Sequence, residues 1–234
     1  MIAKCQKNKS CCNSNENQYP NIIFLGAPGA GKGSIATRIV KVYGYYQLST
    51  GEMFREEIAN KTPLGLEIKS ILDSGKYVDD SLTNRLVEAK VSELVKQKQP
   101  FILDGYPRTL EQANFLKSLE SKGINIGKVI LLNITSDQVI ERLSKRRICS
   151  ECKKIYHLEF NPPKDENVCD KCGGAIIKRL DDEPEVIKKR LAIYSEQTKC
   201  LIDYYNDMKI LSEVNGYQEY EKVYSDVQKA LKWS

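Results

Sequence analysis

The run Asn21-Ile22-Ile23-Phe24-Leu25, followed by Gly26-Ala27-Pro28-Gly29-Ala30-Gly31-Lys32-Gly33-Ser34, decides how this chain is read. The first five residues are short, apolar and stopped by glycine, the pattern of a strand covered on both faces. The next nine contain the GxxxxGK core of a phosphate-binding loop, and Ile35, Ala36, Ile39, Val40 and Tyr43 then recur along one helical face. Strand before and helix after are the context in which such a loop works. Glycines let successive N–H groups turn inward, the helix N-terminus adds partial positive charge, and Lys32 adds a full one. The expected contacts to a nucleoside triphosphate are Gly29, Ala30, Gly31, Lys32, Gly33 and Ser34.

Working outward, Phe101–Leu103 and Val129–Ile134 repeat the apolar strand pattern, and Tyr46–Leu48 and Ile210–Val214 are weaker versions of it. Helical spacing lies between them. Leu82, Leu86, Ala89, Leu94 and Val95 follow the N-cap candidates Asp79 and Asp80, and Thr62-Pro63 is a cap with proline at the first helical position. Residues 186–205 predict one long helix behind Pro184, and Val223, Val227 and Leu231 carry the last. Strands alternating with helices predict an α/β fold with a parallel sheet. Residues 148–177 break the alternation and read as a small insertion.

With 234 residues, 41% of them hydrophobic and 29% charged, the chain has enough apolar matter for an ordinary core without covalent staples. No stretch approaches the length of a membrane helix. A net charge of +5 from 36 basic and 31 acidic residues is too mild to predict nucleic-acid binding. Residues 1–20 are polar and read as a disordered tail.

Eight cysteines are the unusual entry in the composition. Cys149, Cys152, Cys169 and Cys172 form two CxxC pairs with sixteen residues between them, the spacing of a Cys₄ zinc site. Four protein thiolates leave no open position, so the predicted zinc is structural. His157, the only histidine, is then expected to pack within the insertion and not to act as ligand or base. Cys200, beside Leu201 on the long helix, is expected to be a small buried hydrophobe. Cys5, Cys11 and Cys12 lie in the tail, which is expected to be inert and not lipidated, since residue 2 is Ile2 and not the glycine that myristoylation requires.

Gly33 stands where the generic loop has a magnesium-binding hydroxyl, and Ser34 comes one residue later. Mg²⁺ is therefore expected to be held by substrate phosphates and waters, with Asp104 at a strand end orienting those waters. Arg55 and Arg108 follow other strand ends, where a planar guanidinium could grip a second phosphate.

GAPGAGKGS, LSTGEMFR, ILDGYPRTLEQ, ERLSKRR, IYHLEFNPPK and KRLDDEPEVIKKRL together resemble the adenylate kinase family over residues 20–232, in the form whose long lid carries zinc in some members. The resemblance implies a P-loop nucleoside monophosphate kinase: a five-stranded parallel core (residues 21–49, 79–145 and 180–232), a helical AMP-binding arm (50–78) and a lid (146–179). It implies ATP + AMP ⇌ 2 ADP with Mg²⁺. On the AMP side it implies Thr50 and Gln112 at the adenine, Gly105 beside them, and Arg55, Arg108, Arg179 and Arg190 at the phosphates. On the ATP side it implies Arg142 stacked on the base, with Tyr156 and Gln218 nearby. Arg146, Arg179 and Arg190 would converge on the moving phosphoryl group, oriented by Asp181 and Asp182. Glu52 stands where the family has Asp, Tyr106 where it has Phe and Ser34 where it has Thr. The remaining expectations are a cytoplasmic monomer, with mitochondria as the alternative compartment, and ATP as donor, with GTP:AMP transfer as the nearer rival and zinc-ribbon nucleic-acid binding the remoter one.

Overall fold

A computed structural model describes residues 20–233. The tail expectation, with Cys5, Cys11 and Cys12, lies outside the described residues apart from Pro20.

In chain order the elements are β1 (Asn21–Leu25), α1 (Lys32–Tyr43), β2 (Tyr46–Ser49), α2 (Thr50–Ala59), α3 (Pro63–Asp73), α4 (Asp80–Lys96), β3 (Phe101–Asp104), α5 (Leu110–Ser118), β4 (Ile126–Asn133) and α6 (Ser136–Ser144). There follow β5 (Arg146–Cys149), β6 (Ile155–His157), β7 (Ile176–Ile177), α7 (Pro184–Ile193), α8 (Cys200–Asp207), β8 (Leu211–Asn215) and α9 (Tyr220–Ala230). The caps are those the composition supplies: Thr62 accepts from Gly65 N, Asp79 from Leu82 N and Thr109 from Gln112 N, while Thr135 and Gln138 form a reciprocal capping box.

Five parallel strands form the main sheet in the order β2-β3-β1-β4-β8. Its strands are apolar at consecutive positions because both faces are covered. Ile23, Leu25, Leu103 and Leu131 pack on one side with Val87, Val91, Leu116 and Leu201; Ile22, Phe24, Ile102 and Ile130 pack on the other with Ala36, Ile39, Val223 and Val227. All five strands run the same way, so Leu25, Ser49, Asp104, Asn133 and Asn215 end on one edge. The loops that leave this edge carry the site.

Two smaller units stand on the sheet. Helices α2 and α3 pack through Phe54 and Ile68, with Val78 closing their cluster. Strands β6-β5-β7 form a separate antiparallel sheet, with Arg146 opposite His157 and Cys149 opposite Ile176.

Two expectations need correction. The long helix over 186–205 is interrupted: a π-helical turn at Tyr194–Thr198 separates α7 from α8. Cys200 is exposed, its Sγ donating to Gln197 O at 3.3 Å. Ile187, Leu191, Tyr194, Thr198, Leu201 and Tyr205 follow one another at steps of four and three along the buried and half-buried face, so Leu201 points into the core and Cys200, one residue earlier, points out of it.

Candidate functional site

The glycine-rich loop wraps the start of α1. Gly26 has φ +134°, and a Cβ there would lie 2.4 Å from Leu132 O on β4, so only glycine allows the loop to leave β1 at this angle. Lys32 Nζ donates to Gly26 O at 2.7 Å and Ala27 O at 2.9 Å, which holds the ammonium over the loop. Desolvation is the largest influence on this group and pushes its pKa down to about 8; Asp104 pulls it up, while Arg108, Arg190 and Arg146 push it further down. Asp104 Oδ2 accepts from Gln47 Nε2 at 3.0 Å. Gln47 thus orients the carboxylate from β2, a role that sequence reasoning missed; a polar amide among the residues of a half-buried strand was the available signal.

A second cluster gathers from α2, β5, α7 and the segment between β7 and α7. Arg146 Nε and Nη2 donate to the two oxygens of Asp182, whose side chain is fully buried. Arg190 Nη1 meets Asp181 O at 2.8 Å, Asp181 Oδ2 at 3.1 Å and Asp182 Oδ1 at 3.2 Å. Glu52 Oε1 accepts from Arg55 Nη2 at 2.6 Å and from Arg179 Nη2 at 3.0 Å, so a single carboxylate joins α2 to the segment between β7 and α7. This bridge was also missed, although the Glu52 substitution had been noticed. Burial disfavours the charged form of Asp181, yet Arg190, Arg146, Arg179 and Arg55 together hold its carboxyl below the ordinary range. Burial, then Arg146 and Arg55, push Arg179 down to about 10. Six cations, Lys32, Arg55, Arg108, Arg146, Arg179 and Arg190, thus face four carboxylates, Glu52, Asp104, Asp181 and Asp182. The excess of positive charge in a partly desolvated cleft suits a polyanion.

Arg108 and Gln112 are fixed by their neighbours. Arg108 Nε donates to Gly105 O at 2.7 Å, and Thr50 Oγ1 donates to the same carbonyl at 2.8 Å. Gln112 Oε1 accepts from Arg108 N, and its Nε2 donates to Asp80 Oδ1 at 2.6 Å; Asp80 Oδ2 takes the Thr109 hydroxyl. Each end of the amide keeps one proton or one lone pair beyond these bonds, enough for a two-point contact with one edge of a base. Asp80 sets which way the amide faces.

Across the sheet edge, Arg142 lies with Cζ 5.2 Å from the Tyr217 ring centre, and Tyr217 O–H donates to Glu141 Oε2 at 2.7 Å. Burial holds the Arg142 guanidinium below its usual pKa. Gln218 donates its amide to Asn215 O and Asp226 Oδ2, closing its own turn. Tyr156, expected on the ATP side, has its side chain turned inward: it is buried in the insertion, its hydroxyl 3.2 Å from Cys169 Sγ and accepting from Asp170 N at 2.9 Å. Its place between two cysteine-bearing turns explains this, because the small lid sheet has few apolar residues to fill its centre.

The Sγ atoms of Cys149, Cys152, Cys169 and Cys172 all lie within 4.8 Å of one another. Cys149 approaches Cys172 at 3.4 Å, and Cys152 approaches Cys169 at 3.6 Å. Four soft donors around one point fit a tetrahedral zinc. His157 stands apart: its Nδ1 accepts from Glu159 N and Phe160 N, and its ring stacks on Phe160.

The family model described as adenylate kinase matches residues 24–210. The chain is 50% identical over 214 residues to an adenylate kinase of Mycoplasma mobile, covering 90% of this chain and 97% of the relative. It is 44% identical to one from Bacillus subtilis (90% and 97%) and 42% identical to one from Clostridium tetani (90% and 98%). Matched over most of its length by the family model and by such relatives, the chain belongs to the adenylate kinase family.

Proposed function

We propose that the chain catalyses reversible transfer of the terminal phosphoryl group from ATP to AMP, giving two ADP. The observation that carries this reading is the single electrostatic cluster formed by Lys32, Arg55, Arg108, Arg146, Arg179 and Arg190, which we read as spanning two nucleotide platforms. One platform is the phosphate loop with Arg142; the other is Thr50, Arg55, Arg108 and Gln112.

In this reading an oxygen of the AMP phosphate attacks the γ-phosphorus of ATP, and the bond to the β–γ bridging oxygen breaks, leaving ADP on both sides. The attacking phosphate is already an anion, so no general base is required. The work is positioning and neutralisation of charge. Arg55 and Arg108 hold the acceptor phosphate, Lys32 the β- and γ-phosphates, and Arg146, Arg179 and Arg190 meet the group in transit. Asp181 and Asp182 orient those arginines. Magnesium would lie among the phosphates near Asp104 and Ser34, whose hard oxygens suit it, and would offset phosphate charge. Gln47 keeps the Asp104 carboxylate turned for that purpose.

The division into arm (50–78), lid (146–179) and core follows from the same assignment, with the lid folding over the donor to exclude water. Zinc on the four cysteines holds the lid together and takes no part in transfer. No helix among the described residues is long and apolar enough to cross a membrane. We read the protein as a cytoplasmic monomer that does not bind nucleic acid. The deciding assay measures ADP formation from AMP with ATP and with GTP side by side. ATP is expected to be the better donor, and no ADP from ATP and AMP would end the proposal.

A further inference from the structure

Thr198 is the last residue of the π turn, and its side chain is buried. Its hydroxyl lies 2.7 Å from Arg108 O and 2.9 Å from the hydroxyl of Tyr77. A carbonyl oxygen can only accept, so the single Thr198 proton goes to Arg108 O, and the Tyr77 O–H must donate to Thr198 Oγ1. The order of donation is therefore fixed: Tyr77 to Thr198 to Arg108. The Tyr77 ring also lies under the other end of Arg108, its centre 4.9 Å from the guanidinium carbon. Tyr77 thus bears on Arg108 twice, at the backbone through Thr198 and at the charged head through its ring.

The three residues come from three parts of the chain. Tyr77 is in the segment between α3 and α4, Thr198 is in the helix returning from the lid, and Arg108 is in the loop after β3. The first two segments touch again at Gly75, where a Cβ would lie 2.8 Å from Arg190 Cγ and 3.0 Å from Val186 Cγ1.

We propose that Tyr77 and Thr198 are positioning residues for Arg108: they set the orientation of its guanidinium toward the acceptor phosphate and tie it to the segment that ends the AMP arm. This rests on the phosphotransferase reading above, which fails separately if the unaltered protein makes no ADP from ATP and AMP.

The test uses the full chain and compares Thr198→Val, Thr198→Ser, Tyr77→Phe, Tyr77→Leu and the double variant Tyr77→Phe/Thr198→Val. Thr198→Val and Tyr77→Leu are expected to raise KM for AMP about ten-fold, the scale of a lost buried hydrogen bond, with KM for ATP within about two-fold. Thr198→Ser restores the hydroxyl and should stay near the parent. Tyr77→Phe keeps the ring and should fall between, at about three-fold. Because the tyrosine proton acts only through Thr198, the double variant should be no worse than Thr198→Val alone. Equal rises in both KM values, a Thr198→Ser variant as impaired as Thr198→Val, or strictly additive losses in the double variant would each overturn the proposal. Thr198→Ser and Tyr77→Phe are mild enough to fold and keep the test open if the larger changes do not.

Discussion

Arg146 and Asp182 form a two-point ion pair at 2.6 and 2.7 Å around a carboxylate with no exposed surface. Arg190 meets the same carboxylate at 3.2 Å. Asp182→Asn keeps the shape but removes the charge and turns an N–H₂ toward a guanidinium that can only donate. Two desolvated cations then lose their shared anion. Breaking a buried pair in this way costs about 3–5 kcal/mol, and urea unfolding should show a loss of that order. Turnover should fall as well, because both arginines are assigned to the moving phosphoryl group. A loss below about 1 kcal/mol would mean that water relieves the unpaired charges.

Lys32 gives a prediction in pH. Its pKa in the fold, about 8, lies below its ordinary value of 10.5, so between these limits the unfolded chain holds more protons than the native one. The contribution of this group to stability therefore rises with pH through that window and is flat below it. A bound triphosphate favours the ammonium and reverses the shift. Near pH 8.5 ATP binding should take up a fraction of a proton, and affinity should weaken as pH rises further. Calorimetry in two buffers of different ionisation enthalpy measures the uptake directly, with Lys32→Met expected to abolish it. Binding without proton uptake in the parent protein would show that the lysine is charged throughout.

What the sequence made legible divides along physical lines. Ile22–Leu25, Phe101–Leu103 and Val129–Leu132 could be read because strands buried on both faces need consecutive apolar residues. The phosphate loop could be read because glycine spacing and a lysine leave few other uses. The lid sheet could not: β7 is two residues long and β6 three, too short for a period of two to register. The π turn could not either, since the apolar spacing on both sides of it suits a continuous helix. At the site, the arginines, Asp104 and Gln112 were visible by type and position, whereas the residues that hold them, Gln47 at Asp104, Glu52 at Arg55 and Arg179, Asp80 at Gln112 and Tyr217 beside Arg142, are ordinary polar residues made relevant only by contact across the fold.

Gly65 tests the arm. A Cβ on this α3 residue would stand 2.0 Å from Glu57 O and 2.3 Å from Glu57 C, both backbone atoms of α2 that cannot turn aside. Gly65→Ala must therefore push the two helices apart. Overpacking of this kind costs about 1–3 kcal/mol, but the cost falls on the small cluster of Phe54, Ile68 and Val78 and not on the main core. The expected pattern is a modest fall in Tm with a several-fold rise in KM for AMP and little change in KM for ATP. A rise in both would place the damage beyond the arm.

The lid tests the metal. Its buried centre consists of Cys149, Tyr156 and Cys169, with Cys152 and Ile176 against them, far too little apolar surface to fold unaided. If zinc supplies the difference, its removal by a chelator under reducing conditions should lower Tm and open the lid to protease, while residues of the main sheet stay protected. Tyr156 sharpens the test. Burial opposes ionisation of Cys169, but the Tyr156 hydroxyl and the backbone N–H groups of Lys171 and Cys172 outweigh it and hold the thiol down to about 6. Tyr156→Phe removes the hydroxyl near Cys169 and the acceptor for Asp170 N while keeping the ring. Zinc should then leave faster to a colorimetric chelator, on the scale of the 10- to 100-fold loss that follows removal of a group supporting a metal ligand. Unchanged release from Tyr156→Phe, or a stoichiometric metal analysis finding no zinc in fresh protein, would show that the four cysteines hold the lid by some other means.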